Sequence, residues 1–260
     1  MTRAPSEVVW PVPDPSSRAA GADPDELQRF AELADRWWDE AGPMAPLHKL
    51  NPTRLAYIRQ RVCERFGRDP TDQRPLTGLA ALDVGCGGGL LCEPLARLGA
   101  AVTGIDLARR NLAVAARHAE SVGLAITYRE IAVEQLAAEG RTFDLVCVME
   151  VVEHVPDMPA FLAACGRLVC PGGGLVLATL NRTFRSFALG IVAAEYLLGW
   201  LPRGTHRWSR FVRPSEAARA LRRAGLSVAD LTGVSYDPLR DRFRLSPDPA
   251  VNYMLFAVRD

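Results

Sequence analysis

Lysine is almost absent from this 260-residue chain: Lys49 stands alone among 31 basic residues, and the others are arginines. These cations are matched by 30 acids, so the formal net charge is only +1. With no excess of one sign to draw in a polyanion, the composition implies no nucleic-acid partner. Cys63, Cys86, Cys92, Cys147, Cys165 and Cys170 form no Cys-x-x-Cys pair, which excludes the usual zinc and dithiol spacings and leaves buried free thiols. No run reaches the roughly 20 apolar residues that a bilayer span needs. Met1 to Ala22 is rich in proline, serine and alanine and has no apolar core, so the expectation is a protein of the reducing cytoplasm. No internal repeat is evident. A hydrophobic fraction of 48% and a charged fraction of 23% suit a soluble globular protein, and the length suits one large α/β domain with accessory elements.

The organising stretch is Ala80 to Leu90 (A-A-L-D-V-G-C-G-G-G-L), an apolar strand running into a glycine-rich turn and then a helix. Glycine has no Cβ, so this turn can adopt positive φ and let a ligand lie against the backbone. Residues 1–22 are expected to form a disordered arm, residues 23–78 N-terminal helices and a linker, and residues 79–260 the main domain, with an apolar insertion over 183–210. In the second segment, Leu27, Phe30, Leu33, Ala34, Trp37 and Trp38 recur at helical spacing after Asp23-Pro24, a stripe that reads as core or a lid. A second helix is expected from Asn51-Pro52, with Pro46 to Leu50 as a loop before it.

Strands are then expected at Ala80 to Val84, Ala101 to Ile105, Ile126 to Arg129, Phe143 to Met149 and Leu175 to Thr179, with helices between them. Pro171 to Gly174 reads as the turn before the fifth strand. A helix over Ser215 to Ala224 and strands over Leu226 to Thr232 and Asn252 to Val258 close the chain. This alternation predicts a mostly parallel sheet covered by helices on both faces. Phe184 to Trp200 is apolar on nearly every side but broken by Gly190 and Gly199 and flanked by Arg182, Arg185 and Arg203. It reads as an interfacial helix or the wall of a greasy channel, or equally as an ordinary buried helix.

The glycine turn fails the dinucleotide fingerprint G-x-G-x-x-G. Counting from Gly85 puts Leu90 at the last position, and counting from Gly87 puts Cys92 there. Asp106, about 20 residues on, can accept hydrogen bonds from two adjacent ribose hydroxyls, which both NAD and S-adenosylmethionine would satisfy. It also reads as a cap for the helix at Arg109. D-V-G-C-G-G-G together with G-I-D resembles the signature of class I S-adenosylmethionine-dependent methyltransferases. That resemblance implies a Rossmann-like α/β fold, a seven-stranded, mostly parallel sheet with helices on both faces and an antiparallel final strand.

Further motifs resemble one family, the ubiquinone-biosynthesis O-methyltransferases. They are R-W-W-D at Arg36 to Asp39, P-L-H at Pro46 to His48, N-P-x-R at Asn51 to Arg54, and E-V-V-E-H-V-P-D at Glu150 to Asp157. T-L-N-R at Thr179 to Arg182, A-E-Y at Ala194 to Tyr196, P-R-G-T-H at Pro202 to His206 and V-N-Y-M at Val251 to Met254 follow. The ordered set spans residues 27 to 256. The resemblance implies S-adenosylmethionine contacts at Arg54, Gly85, Gly87, Asp106 and Met149, and both O-methylations of a polyprenylated phenol or catechol. It also implies membrane-surface contact through 184–201 at the inner face of the membrane, and partner proteins of the same biosynthesis.

Glu150, Glu153 and His154 follow the fourth strand, at the end of the sheet where α/β proteins bind ligands. On a helix, positions i, i+3 and i+4 share a face, and two carboxylates with an imidazole can hold a divalent cation such as Mg²⁺ or Zn²⁺. The same residues also read as an exposed polar turn ended by Pro156. The family resemblance implies a metal at all three, with Glu153 and His154 as the catalytic pair. His48 and His206 are weaker candidates for the acceptor pocket and read equally as ordinary hydrogen-bonded loop histidines, and His118 is expected to face solvent. Three other readings stay open: a methyltransferase for another small aromatic or lipid hydroxyl, an NAD-linked oxidoreductase, and a noncatalytic lipid-binding protein.

Overall fold

The computed structural model describes residues 33–187 and 208–260. The expected arm over 1–22, the start of the first helix, most of the apolar segment 184–201 and His206 lie outside the described residues. Eight strands form one sheet: β1 (Ala80–Val84), β2 (Ala101–Asp106), β3 (Thr127–Glu130), β4 (Phe143–Met149), β5 (Val169–Leu180), β6 (Ser227–Asp237), β7 (Arg242–Ser246) and β8 (Asn252–Val258). Their order is β3-β2-β1-β4-β5-β8-β6-β7. The first five strands are parallel, and the pairs β5–β8, β8–β6 and β6–β7 are antiparallel. This is the class I methyltransferase fold expected from the sequence, with one strand more than seven. The extra strand is the edge strand β7, whose sequence R-F-R-L-S is masked by the charges that precede it.

Successive side chains of a strand point to opposite faces, and here both faces are buried. Ala81, Leu145, Cys147 and Val176 join one core layer, while Leu82, Val84, Val146 and Leu177 join the other. The first layer is covered by α1 (Ala45–Arg65), α2 (Cys92–Arg97) and α3 (Arg109–Ser121). The second is covered by α4 (Val133–Ala138), α5 (Met158–Arg167) and α6 (Pro214–Arg223). All six cysteines are free, and only Cys170 is not fully buried.

The second helix expected from Asn51-Pro52 instead begins six residues earlier, so Pro46 to Leu50 is helical and not a loop. Pro46 occupies the first turn, where its missing N–H costs nothing, whereas Pro52 lies inside the helix and forfeits the bond to the His48 carbonyl. Pro171 to Gly174 does not precede β5 but bulges within it, at the point where the register against β4 shifts.

α1 is the strut of the molecule. Thr53 Oγ1 donates to the Phe243 carbonyl on β7 (3.0 Å), Tyr57 Oη donates to Asp230 on β6 (2.7 Å), and Arg65 reaches the carbonyls of Gly172 and Arg259. Ile58, fully buried, packs into the first core layer. Ile58→Ala is expected to destabilise the protein by about 2–5 kcal/mol through lost burial and a cavity. Tyr57→Phe should cost about 1 kcal/mol, for one hydrogen bond to a charged group with other donors nearby. Urea unfolding of the two variants checks the ranking.

Candidate active site

The chain moves outward from β1 through β2 to β3, then returns to β4 on the other side of β1. The order of the strands therefore reverses between β1 and β4, and ligands of open α/β sheets bind at the carboxyl end of such a reversal. Gly85, Asp106 and Glu150 all emerge there. The Gly85 and Cys86 amides both donate to the Ile105 carbonyl (2.8 and 3.0 Å), so the turn folds back over β2. The Gly87 amide donates to Asp106 Oδ2 (2.9 Å), and the Ala108 amide to Oδ1 (2.7 Å). Asp106 is thus the tie between turn and strand, but not the cap expected before Arg109: the amide it meets belongs to Ala108, which precedes the helix, and no side chain caps the first turn. An ionised carboxylate offers about four acceptor positions, so these amides leave it spare acceptor capacity. Burial pushes the Asp106 pKa up against these stabilising amide bonds.

Gly85, Gly87 and Gly89 have positive φ, as expected. Their missing Cβ atoms make room for the protein's own side chains. A Cβ on Gly85 would lie 2.6 Å from Val151 Cγ2, one on Gly87 would enter the Trp37 ring, and one on Gly89 would meet the Tyr128 hydroxyl. The Val151 contact places the turn that follows β4 directly against the turn that follows β1.

That second turn differs from the expectation. Residues 150–157 form successive turns, not a helix, and α5 starts only after Asp157 caps it through the Ala160 amide (3.0 Å). The shared helical face considered for Glu150, Glu153 and His154 therefore does not form: Glu150 has positive φ, outside the right-handed helical region, and Pro156 disfavours helical backbone at the residue before it. Among the described residues no three metal-ligating side chains converge into a ready cage. Glu150 has φ +55°, an uncommon conformation for a residue with a side chain and one that clusters at functional sites. Its amide donates to the Ala178 carbonyl (2.9 Å), and its carboxylate takes a 2.9 Å hydrogen bond from Arg54 Nη2.

Arg54 comes from α1 and is only 6% exposed. The structure thus brings it to the ligand end, beside Glu150, although 96 positions separate them. Its Nε has no partner among the described residues. Glu153 is 3% exposed; Thr179 Oγ1 donates to its Oε2 (2.8 Å), while Oε1 has no hydrogen-bond partner among the described residues. Burial, and then repulsion from Glu150, push the Glu153 pKa up, while His154 opposes the shift. The His154 amide donates to the Val151 carbonyl (2.9 Å), and its side chain is half-buried. Met149, at the end of β4, packs against the first core layer.

Two site residues carried no assignment from the sequence. Asp83, on β1, is buried and accepts a hydrogen bond from the Cys92 thiol (3.2 Å); burial pushes its pKa up to about 7, opposed by that bond and by Arg54. Thr179, within T-L-N-R, supplies the hydroxyl on Glu153. His48 makes an ordinary hydrogen bond, though from a helix and not a loop, whereas His118 differs from its expected place. His48 Nε2 lies 2.8 Å from the Trp37 carbonyl, a tether between helix and preceding turn. His118 is half-buried and stacked on Trp38 instead of facing solvent.

A family model described as a methyltransferase domain matches residues 82–177. A ubiquinone biosynthesis O-methyltransferase from Methylobacterium sp. (strain 4-46) is 57% identical over 234 residues, covering 90% of this chain and 94% of the relative. One of the same description from Rhizobium rhizogenes is 53% identical over 237 residues, covering 91% and 96%. Among solved structures, magnesium protoporphyrin IX methyltransferase from Synechocystis, with bound SAH, superposes at a TM-score of 0.61. It is 21% identical, and the match covers 91% of this chain and all of that one.

The Asp83 pKa generates a stability test. Since the folded-state value lies above that of an unfolded aspartate, protonation favours the fold. The stability it contributes is full below about pH 4 and is lost as the pH rises through about 7. Asp83→Asn removes this loss. Between pH 5 and 8 the wild type should lose about 2 kcal/mol more than the variant, as measured by urea unfolding at both pH values.

Proposed function

The chain belongs to the ubiquinone biosynthesis O-methyltransferases, and from that membership we propose that it transfers the methyl group of S-adenosylmethionine to phenolic hydroxyls of polyprenylated ubiquinone precursors, at both O-methylation steps. The observation that carries the chemistry is Glu153, a buried carboxylate bound by Thr179 through one oxygen, with no partner for the other among the described residues. Family membership sets aside the oxidoreductase and lipid-binder readings.

Transfer is an in-line displacement. The phenolate oxygen forms a bond to the methyl carbon as the carbon–sulfur bond breaks, leaving S-adenosylhomocysteine. The hydroxyl's proton must leave first or in concert, since a phenol has a pKa of about 10. Glu153 and His154 are the bases in place. Holding the Glu153 pKa above the ordinary carboxylate range brings it closer to neutral pH, where a general base works best. Arg54 offers its unpartnered Nε and a positive charge to the cofactor's carboxylate, Asp106 its spare acceptor positions to the ribose, and Gly85, Gly87 and Met149 the walls of the cofactor crevice.

Glu150, Glu153 and His154 are the residues that would hold a divalent cation. Glu153 Oε1 and the mixed oxygen and imidazole donors suit Mg²⁺ or Zn²⁺, with Glu150 shared with Arg54. Bound there, the cation would lower the pKa of a catechol hydroxyl. A peripheral membrane position at the inner face is supported by Phe184, Phe187 and Trp208. They are exposed and grouped (neighbouring ring centroids 6.5 Å apart) just beyond the carboxyl end of β5. No helix of the described residues is long and apolar enough to cross a membrane.

Glu153→Gln and His154→Ala are expected to lower kcat by about 10²-fold or more while S-adenosylhomocysteine affinity stays within a few-fold. Radiolabelled methyl transfer to a demethylated polyprenyl quinol, with and without chelator and against soluble catechols, and calorimetry with S-adenosylhomocysteine measure both. Undiminished turnover after chelation sinks the metal, and equal turnover of the soluble catechols sinks the polyprenyl acceptor.

A further inference from the structure

Gly87, Gly88 and Gly89 are three consecutive residues with no side chain to fix them, and glycine has the widest conformational freedom of any residue. A cofactor meeting a turn that samples many shapes binds more weakly, in proportion to the fraction of time the competent shape is present. The sheet restrains one side of the turn through Asp106 and Ile105. The other side is restrained by Trp38, whose indole Nε1 donates to the Gly88 carbonyl at 3.0 Å.

Trp38 is itself fixed. Its ring stacks on His118, with centroids 3.5 Å apart and planes 6° from parallel. His118 Nδ1 lies 2.6 Å from Glu93 Oε1 and donates to it, since a carboxylate only accepts. Glu93 is buried and belongs to α2, the helix that leaves the glycine turn. The contacts therefore form a closed circuit, from the turn through Trp38 and His118 and back to the segment five residues beyond Gly88. The neighbouring Trp37 is held as well: its indole Nε1 donates to Asn111 Oδ1 (3.2 Å), and its carbonyl accepts from His48.

We infer that Trp38 is a positioning residue for the cofactor turn: through the circuit with His118 and Glu93 it fixes the Gly88 carbonyl and with it the shape in which Gly87 to Gly89 receive S-adenosylmethionine. The inference rests on the reading that this turn holds that cofactor. It also gives R-W-W-D a role in methyl-donor affinity that is separate from proton removal at Glu153 and His154.

Trp38→Phe keeps a six-membered ring against His118 and deletes the N–H donor with the small ring that carries it. Calorimetry should show S-adenosylhomocysteine binding about threefold to tenfold more weakly, the worth of one ordinary hydrogen bond. The KM for S-adenosylmethionine should rise by the same factor while kcat falls less than twofold. Hydrogen exchange should accelerate over residues 86–95 and stay unchanged in β4 and β5. Trp38→Leu, which also removes the stacked ring, should weaken binding further. Equal affinity of wild type and Trp38→Phe overturns the inference, as does a loss spread over kcat and over β4 and β5 protection. If the phenylalanine variant does not accumulate, Glu93→Gln, which weakens the anchor of His118, is read by the same three measurements. Failure of the wild type itself to bind S-adenosylhomocysteine refutes the cofactor reading, whatever the variants do.

Discussion

The site depends on one ion pair drawn largely out of water, buried Arg54 with half-buried Glu150. Two charges withdrawn from water cost several kcal/mol each, and their attraction offsets that only when the geometry is good and neither is left alone. The pair therefore acts as a constraint. α1 must lie where Arg54 can reach the end of β4, and Glu150 must turn to positive φ to meet it. With α1 in that position, its other contacts to β6, β7 and the end of β8 follow, and the N-terminal segment is carried over the glycine turn. The strain at Glu150 is thus held by a long helix whose seat is set by the core.

Sequence periodicity located most of the sheet because strands buried on both faces read as apolar runs bounded by glycine and proline. β1, β4 and β8 begin and end where the pattern places them, and α3 begins at Arg109 as expected. Local rules failed where tertiary contacts outweighed them. Asn51-Pro52 has the form of a helix start, but Pro46 is the proline used that way, and the many anchors of α1 absorb Pro52. The spacing of Glu150, Glu153 and His154 suits a helix, yet Pro156 and the pull of Arg54 leave a chain of turns. β7 was hidden because its outward positions are arginines, a common property of edge strands. Site residues on the motifs were legible by type. The partnering of Glu153 by Thr179, and of Gly88 by Trp38, joins parts of the chain too far apart for spacing to show.

The glycine turn shows the same difference between local and tertiary causes. Its glycines suggested backbone bared for a ligand. In the fold, Val151, Trp37 and Tyr128 occupy much of the space their missing side chains vacate. The turn is thin because it is gripped by the protein, and its free edge lies beside Asp106 and the end of β4.

The place of β8 has a consequence for how the molecule is made. This strand comes last in sequence yet lies between β5 and β6, pairing with both along its length. Until it arrives, a chain emerging from the ribosome carries two open strand edges in the middle of its sheet, the kind of exposed template that recruits other chains. The parallel half can assemble early, but the antiparallel half joins it only when residues 252–258 slot in, closing contacts of very long sequence separation. Synthesis interrupted before that point thus yields a product that chaperones and proteases can recognise, and the candidate site, whose strut α1 also grips β6 and β7, is completed only once residues 252–258 are in place.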